Sequence, residues 1–206
     1  QAVYDIVDRL KEKHTDVAFE SCSSGGGRSD YGALLHYDQV WTSDNTSSVD
    51  RMMMQKWFTY LRPTKAMRAW VTDVNWYNPP MSLDFRFHVA MQGALGVGGN
   101  LTKYSIGDLA TARKNVTLYK EIRHLVQFGD LYRVLDPDRD EILFNIYVSE
   151  DKTEAVAFLS SVVTRFMQKE IPLRFMGLDD NKIYKLKIGK DKYEKSGAYL
   201  KNVGIP

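Results

Sequence analysis

Two short stretches hold residue types that could do chemistry together. One is Cys22-Ser23-Ser24-Gly25-Gly26-Gly27-Arg28, which follows the apolar run Val17-Ala18-Phe19. The other is Thr42-Ser43-Asp44-Asn45-Thr46, which follows Val40-Trp41 and precedes a helical pattern. Each reads as a buried strand emptying into a polar loop, where a β/α scaffold places its reactive groups. Three consecutive glycines let the backbone approach a ligand closely and adopt φ values other residues reach only with strain. A carboxylate at a strand end, flanked by an indole and small hydroxyl residues, suits proton transfer in a partly shielded site. The acidic candidates on this face are Glu20, Asp30, Asp38, Asp44 and Asp73. Spacing alone leaves open which two would face each other across a pocket. Acid/base-assisted cleavage at an oxygen needs such a pair, one carboxylic acid to protonate the departing oxygen and one carboxylate to attack or to activate water. Trp41, Trp70 and Trp76 could stack on the apolar face of a ligand, or simply pack.

The elements that must position these groups follow from hydrophobic period. Val3, Ile6, Val7 and Leu10 mark an amphipathic helix over residues 2–13. Val17–Ser21 is a first strand, Tyr31–Tyr37 a short helix, and Gln39–Thr42 a second strand. A helix capped by Thr46 or Ser47 follows, with a predicted stripe of Val49, Met52, Met53, Lys56, Trp57, Tyr60 and Leu61. Pro63 closes it. Met67–Val71 is a third strand, Leu83 to about Gly93 a helix capped by Ser82, and Leu95–Val97 a fourth strand. Asp108 opens a long helix ending at Gly129. Helix, then strand–helix four times, predicts parallel strands with crossover helices, too few for a closed eight-stranded barrel. From Tyr132 the period changes to two. Tyr132–Leu135, Ile142–Val148, Ala155–Leu159, Leu173–Phe175 and Ile183–Ile188 predict an antiparallel β module, with the domain boundary near Gly129.

With 206 residues, 44% apolar and 26% charged, the chain has ordinary globular composition and enough length for a core. A formal charge of +2 gives no electrostatic footprint for nucleic acid or membrane, and no apolar run approaches a membrane span. The lysines from Lys182 to Lys195 read as a solvated strand face. The single cysteine rules out an internal disulfide and favours a reducing, cytoplasmic setting. On its own, Cys22 reads as a small buried residue at a strand end. The histidines (His14, His36, His88, His124) lack metal-site spacing, so no metal and no cofactor is expected. The triplets at Asn45, Asn100 and Asn115 fit a glycosylation pattern that arises readily by chance. Phosphate binding by Ser23–Gly27 is disfavoured, because no Gly-Lys-Ser/Thr ending and no Gly-x-Gly-x-x-Gly is present.

The Cys-Ser-x-Gly-Gly-Gly-Arg loop and the Trp-x-Ser-Asp-Asn-Thr segment, with Asp50-Arg51 and Gln55 behind it, resemble glycoside hydrolase family 36, the α-galactosidases and their relatives. The resemblance continues through His88-Val89-Ala90-Met91, Gln127-Phe128-Gly129-Asp130, Val148-Ser149-Glu150-Asp151 and Asn202-Val203-Gly204, nearly the whole chain. It implies a (β/α)8 barrel followed by a small antiparallel β-sandwich domain. The four strands here would be barrel strands five to eight, with residues 1–129 the second half of the barrel and 130–206 the sandwich. It implies a retaining mechanism, with Asp44 as acid/base and sugar contacts from Cys22, Gly25 and Arg28. The family's nucleophile motif, Lys-Trp-Asp-Met or close to it, is absent from these residues and is expected upstream of Gln1. The chain therefore reads as a C-terminal fragment that is inactive alone and short at its end as well. Its partners would be an α-galactoside oligosaccharide of the raffinose type and the missing N-terminal half. Strand Val17–Ser21 would present an unpaired edge, to be covered by another chain or in a homo-oligomer. Alternatives are a galactosyltransferase or α-N-acetylgalactosaminidase of the same clan, or a non-catalytic sugar-binding module. The loop Asp73–Met81 departs from the family pattern, which bears on substrate trimming.

Overall fold

A computed structural model describes residues 2–73, 80–136, 142–163 and 171–206 of the chain. Trp76 and most of the Asp73–Met81 loop, with Pro137 and Asp138, lie outside the described residues. The backbone divides into two compact units, Gln1–Arg123 and His124–Pro206.

In the first unit the order is α1 (Ala2–Lys13), β1 (Glu20–Ser21), α2 (Tyr31–His36), β2 (Gln39–Trp41), α3 (Ser48–Leu61), β3 (Met67–Val71), α4 (Leu83–Ala90) and β4 (Ala94–Val97). The long α5 (Ile106–Phe128) begins here and runs on into the second unit. The four strands form one parallel sheet in sequential order β1-β2-β3-β4. Sequential order with a helix after each strand is the winding of a β/α barrel, whereas a doubly wound sheet reverses its order at a switch point. The predicted strand Val17–Ser21 is ordered as a strand only over Glu20–Ser21. Upstream of it, Phe19 N donates to Asp38 Oδ2 at 2.8 Å, and Phe19 O accepts from Asp38 N at 2.9 Å.

Alternation along the strands gives the sheet two faces. Val40 and Met67 turn to the helix side and pack with Phe58, Ala66 and Leu34. Glu20, Gln39, Trp41, Arg68 and Trp70 share the other face. There Arg68 Nε pairs with Glu20 at 3.2 Å, and an Arg68 amino group donates to Gln39 Oε1 at 3.4 Å, tying three strands together. Gly96 and Gly98 leave the room that the Trp70 ring occupies over β4.

Helix α3 presents a different face from the predicted stripe. Of that stripe Met52 and Lys56 are buried, together with Ser48, Arg51, Gln55 and Phe58, while Trp57 and Leu61 are 57% and 61% exposed. Hydrogen bonding by Arg51 and Gln55, rather than hydropathy, sets its rotation. Helix α5 starts on a capping box: Ser105 Oγ accepts from Asp108 N at 3.1 Å, and Asp108 Oδ2 accepts from Ser105 N at 3.1 Å.

The second unit holds an antiparallel sheet β5-β6-β7 (Asp130–Leu135, Ile142–Val148, Ala155–Ser161) and a hairpin of β8 (Ile183–Ile188) and β9 (Asp191–Ser196), closed by α6 (Gly197–Asn202). Phe144, Ile146 and Val148 of β6 form its core with Phe175, Leu178, Leu200 and Ile205, and Tyr184, Leu186 and Tyr193 of the hairpin pack against them. The predicted strand Leu173–Phe175 is instead a single bridge between Leu173 and Ile205. Strand β9 escapes a hydrophobic-period reading because Asp191-Lys192-Tyr193-Glu194-Lys195 offers one inward aromatic among charges. Lys185, Lys187, Lys190 and Lys192 are exposed, as expected of a solvated face, whereas Lys182 is half-buried and donates to Asp151 O at 2.7 Å, and Lys195 is half-buried over the Tyr199 ring.

Candidate active site

Strands β1 and β2 are neighbours, so the loops that leave their C-terminal ends lie side by side. The first turns sharply: Ser24, Gly25 and Gly26 take φ of 47°, 65° and 98°, and Gly27 N donates to Ser23 O at 2.7 Å. Only glycine holds such values cheaply over two successive residues. Space makes the same demand. A methyl group on Gly25 would stand 2.6 Å from Asp44 N and 2.9 Å from Asp44 Cγ, and one on Gly26 would collide with Thr42 O. The glycine loop is therefore pressed onto Thr42–Asp44, with the Asp44 carboxyl group over Gly25.

The second loop is built almost wholly from its own side chains. Ser43 Oγ accepts from Asn45 N at 3.1 Å, Asn45 Oδ1 accepts from Ser47 N at 2.9 Å, and Asn45 Nδ2 donates to Asp50 at 2.8 Å. Behind it Arg51, 2% exposed, donates from Nε to Asn45 O at 2.8 Å, from one amino group to Ser43 O at 2.7 Å, and from the other to Thr42 Oγ1. Its guanidinium also sits 4.5 Å from the centre of the Trp41 ring. Burial pulls Arg51 down to about 10, against the opposing pull of the Asp44 charge, so it stays protonated at neutral pH. One turn on, Gln55 Nε2 donates to Val89 O of α4 at 2.8 Å and anchors the helix. A small cavity lined by Thr46, Ser48, Arg51, Gln55, Thr72 and Arg86 lies beside this loop. Among the described residues, Ser48 Oγ and Arg86 Nε are buried without a hydrogen-bond partner, a setting suited to ordered water.

The Asp44 side chain itself is held on one oxygen: Trp41 Nε1 donates to Oδ1 at 2.9 Å. Trp41 is 6% exposed and packs on Trp70, with ring centres 4.7 Å apart and planes inclined at 45°.

The other acidic candidates are committed elsewhere. Asp30 caps α2 by accepting from Ala33 N at 2.9 Å. Glu20 is paired with Arg68. Burial works to raise Asp38, but its bonds to Lys11 Nζ at 2.8 Å and to Phe19 N outweigh that and hold it below the usual carboxylate range. Asp73 accepts from Asn100 N at 2.6 Å. Among these five, Asp44 is the one set against the glycine loop. Cys22 starts that loop as an exposed free thiol, contrary to its reading as a buried apolar residue, because the chain leaves the sheet immediately before it. Arg28 ends the loop, also exposed, and its carbonyl accepts from Ser21 Oγ at 3.3 Å. The roles of Arg51 and Trp41 were hidden in the sequence. The available signal was an arginine placed among residues that a helix must bury.

Residues 1–129 match the Melibiase family model and residues 144–206 the glycosyl hydrolase family 36 C-terminal domain. The α-galactosidase AgaA of Geobacillus stearothermophilus is 36% identical over 186 residues, 89% of this chain and 26% of that protein. The crystal structure of the family 36 α-galactosidase AgaB from the same organism is 35% identical with a TM-score of 0.91, covering 98% of this chain and 28% of that one. A variant of AgaA solved in complex with raffinose aligns with the same TM-score, 0.91, at 35% identity, over 98% of this chain and 28% of its own. The chain thus spans about a quarter of the length of the relatives it matches. Over that span it belongs to glycoside hydrolase family 36.

Proposed function

We propose that these residues form the acid/base side of a retaining α-galactosidase site. Asp44, protonated on one oxygen, gives its proton to the glycosidic oxygen as the C1–O bond breaks and the electron pair leaves with the aglycone. A second carboxylate forms a bond to C1 from the opposite face. In the return step the Asp44 carboxylate takes a proton from the water that attacks C1. In this reading the glycine loop, with Cys22, Gly25 and Arg28, holds the galactose ring. The observation that carries this reading is the placement of the Asp44 carboxyl group over Gly25, at the shared mouth of two neighbouring parallel strands.

In this reading β1–β4 correspond to barrel strands five to eight and the second unit to a terminal sandwich, with the division near Gly129. The nucleophile belongs to polypeptide outside the 206 residues. Two features support that: no Lys-Trp-Asp-Met segment occurs in the sequence, and the chain covers about a quarter of each relative. The substrate is a terminal α-galactoside of the raffinose type, and the free edge of β1 is covered in the assembled enzyme. The test compares raffinose hydrolysis by the complete polypeptide, its Asp44→Asn variant and the 206-residue chain alone. The complete polypeptide should release galactose, the variant should fall by about 100-fold or more, and the isolated chain should give none. Turnover by the isolated chain, abolished by Asp44→Asn, would overturn the divided site.

A further inference from the structure

We infer that Trp41 is the positioning residue that decides which oxygen of Asp44 delivers the proton. The inference rests on Asp44 being the acid/base of the proposed reaction. An indole N–H can donate and cannot accept. Its 2.9 Å bond to Asp44 therefore marks Oδ1 as an acceptor in both protonation states, which leaves Oδ2 to carry the transferable proton. Oδ2 is also the oxygen turned toward the glycine loop, 3.0 Å from where a side chain on Gly25 would begin. The proton is thus held on the side where the proposed sugar would lie.

The indole can do this only if it does not turn, and the structure fixes it from two directions. The Trp70 ring packs on it at 4.7 Å, and the Arg51 guanidinium lies 4.5 Å from its ring centre. Arg51 is in turn bonded to Thr42, Ser43 and Asn45, residues flanking Asp44 on both sides. The donor of the fixing hydrogen bond and the loop that carries its acceptor are therefore tied to one buried cation. Solvation by water would supply a comparable hydrogen bond but no fixed direction, so the benefit lies in orientation.

The test uses the complete polypeptide and the ratio of kcat/KM for raffinose to kcat/KM for an aryl α-galactoside with an activated leaving group. The activated substrate departs without protonation, so a misdirected proton lowers the ratio, whereas general damage to the fold lowers both values together. Two replacements are compared at position 41: Trp41→Phe, and the benzothienyl analogue of tryptophan, which keeps the ring shape and lacks the N–H. The inference expects both to lower the ratio about tenfold, with Asp44→Asn lowering it about 100-fold or more. If Asp44→Asn leaves the ratio unchanged, the acid role of Asp44 fails and the inference fails with it. If Asp44→Asn collapses the ratio while the benzothienyl variant keeps the parent value, Asp44 stands and the positioning role of Trp41 is overturned.

Discussion

Gly25 and Asp44 occupy one another's space: the Asp44 carboxyl carbon and backbone nitrogen lie 2.9 and 2.6 Å from the point where any side chain on Gly25 would start. The position also takes φ of 65°, so both the backbone and the neighbour exclude a Cβ. Gly25→Ala should displace the acid loop by a fraction of an ångström to about an ångström. Steady-state kinetics of the complete polypeptide should then show kcat/KM for raffinose falling by about 100-fold, with the far-ultraviolet spectrum unchanged. Wild-type kinetics would mean that the two loops move independently.

Arg51 holds two carbonyl groups and a hydroxyl while buried at 2% exposure. Arg51→Met keeps much of the volume and leaves those acceptors without a donor, a loss of about 2–4 kcal/mol. Arg51→Lys should recover only part of it, since an ammonium on a flexible stem cannot reproduce a planar fork with several fixed donors. Denaturant unfolding followed through tryptophan fluorescence checks both variants.

How much of this was legible in the sequence differs from residue to residue. Asp44 and the three glycines stand out because their types are rare in combination and sit at the ends of apolar runs. Strand β3 is readable to the residue, since Met67, Ala69 and Val71 alternate with Arg68 and Trp70. The face of α3 is not. Arg51 and Gln55 count as polar in any hydropathy pattern, yet hydrogen bonds to loop carbonyls and to Val89 O turn them inward and leave Trp57 and Leu61 outside. Strand β9 fails for the complementary reason, because pairing with β8 along its length, rather than hydropathy, orders a charged segment. That Asp30 caps a helix and that Glu20 pairs with an arginine two strands away are tertiary facts that spacing along the chain does not encode.

The turn between β6 and β7 carries a titration of its own. Asp151 Oδ1 accepts from Ser149 Oγ at 2.7 Å, Thr153 Oγ1 at 2.8 Å and Thr153 N at 3.0 Å. The Ser149 and Thr153 hydroxyls, followed by the Thr153 N–H, hold this carboxyl down to about 2. A carboxyl whose value falls on folding adds stability that is present above its unfolded value, about 3.9, and is lost as the pH drops through about 2. Hydrogen-exchange protection of the Thr153 amide should decline across that window, and Asp151→Asn should remove the decline.

His88 on α4 also costs stability on acidification, but at higher pH and for a different reason. Burial lowers it below the ordinary histidine value, helped by Lys114 and opposed by Asp84 and the Asn115 side chain. The unfolded chain then takes up a proton near pH 6.5 that the folded chain resists, so stability falls as the pH drops from 7 toward 5. His88→Gln should flatten that slope in thermal unfolding measured at several pH values. A slope unchanged by the substitution would assign it to another group.

The most direct test of the whole account is azide rescue of Asp44→Ala in the complete polypeptide, with an activated aryl α-galactoside as substrate. Such a substrate forms the galactosyl-enzyme without an acid, and azide attacks that intermediate without a base. The account predicts that azide restores turnover and that the product is α-galactosyl azide, the anomer of net retention. A β-galactosyl azide would make Asp44 the nucleophile instead, and unchanged turnover with no azide product would remove it from the reaction.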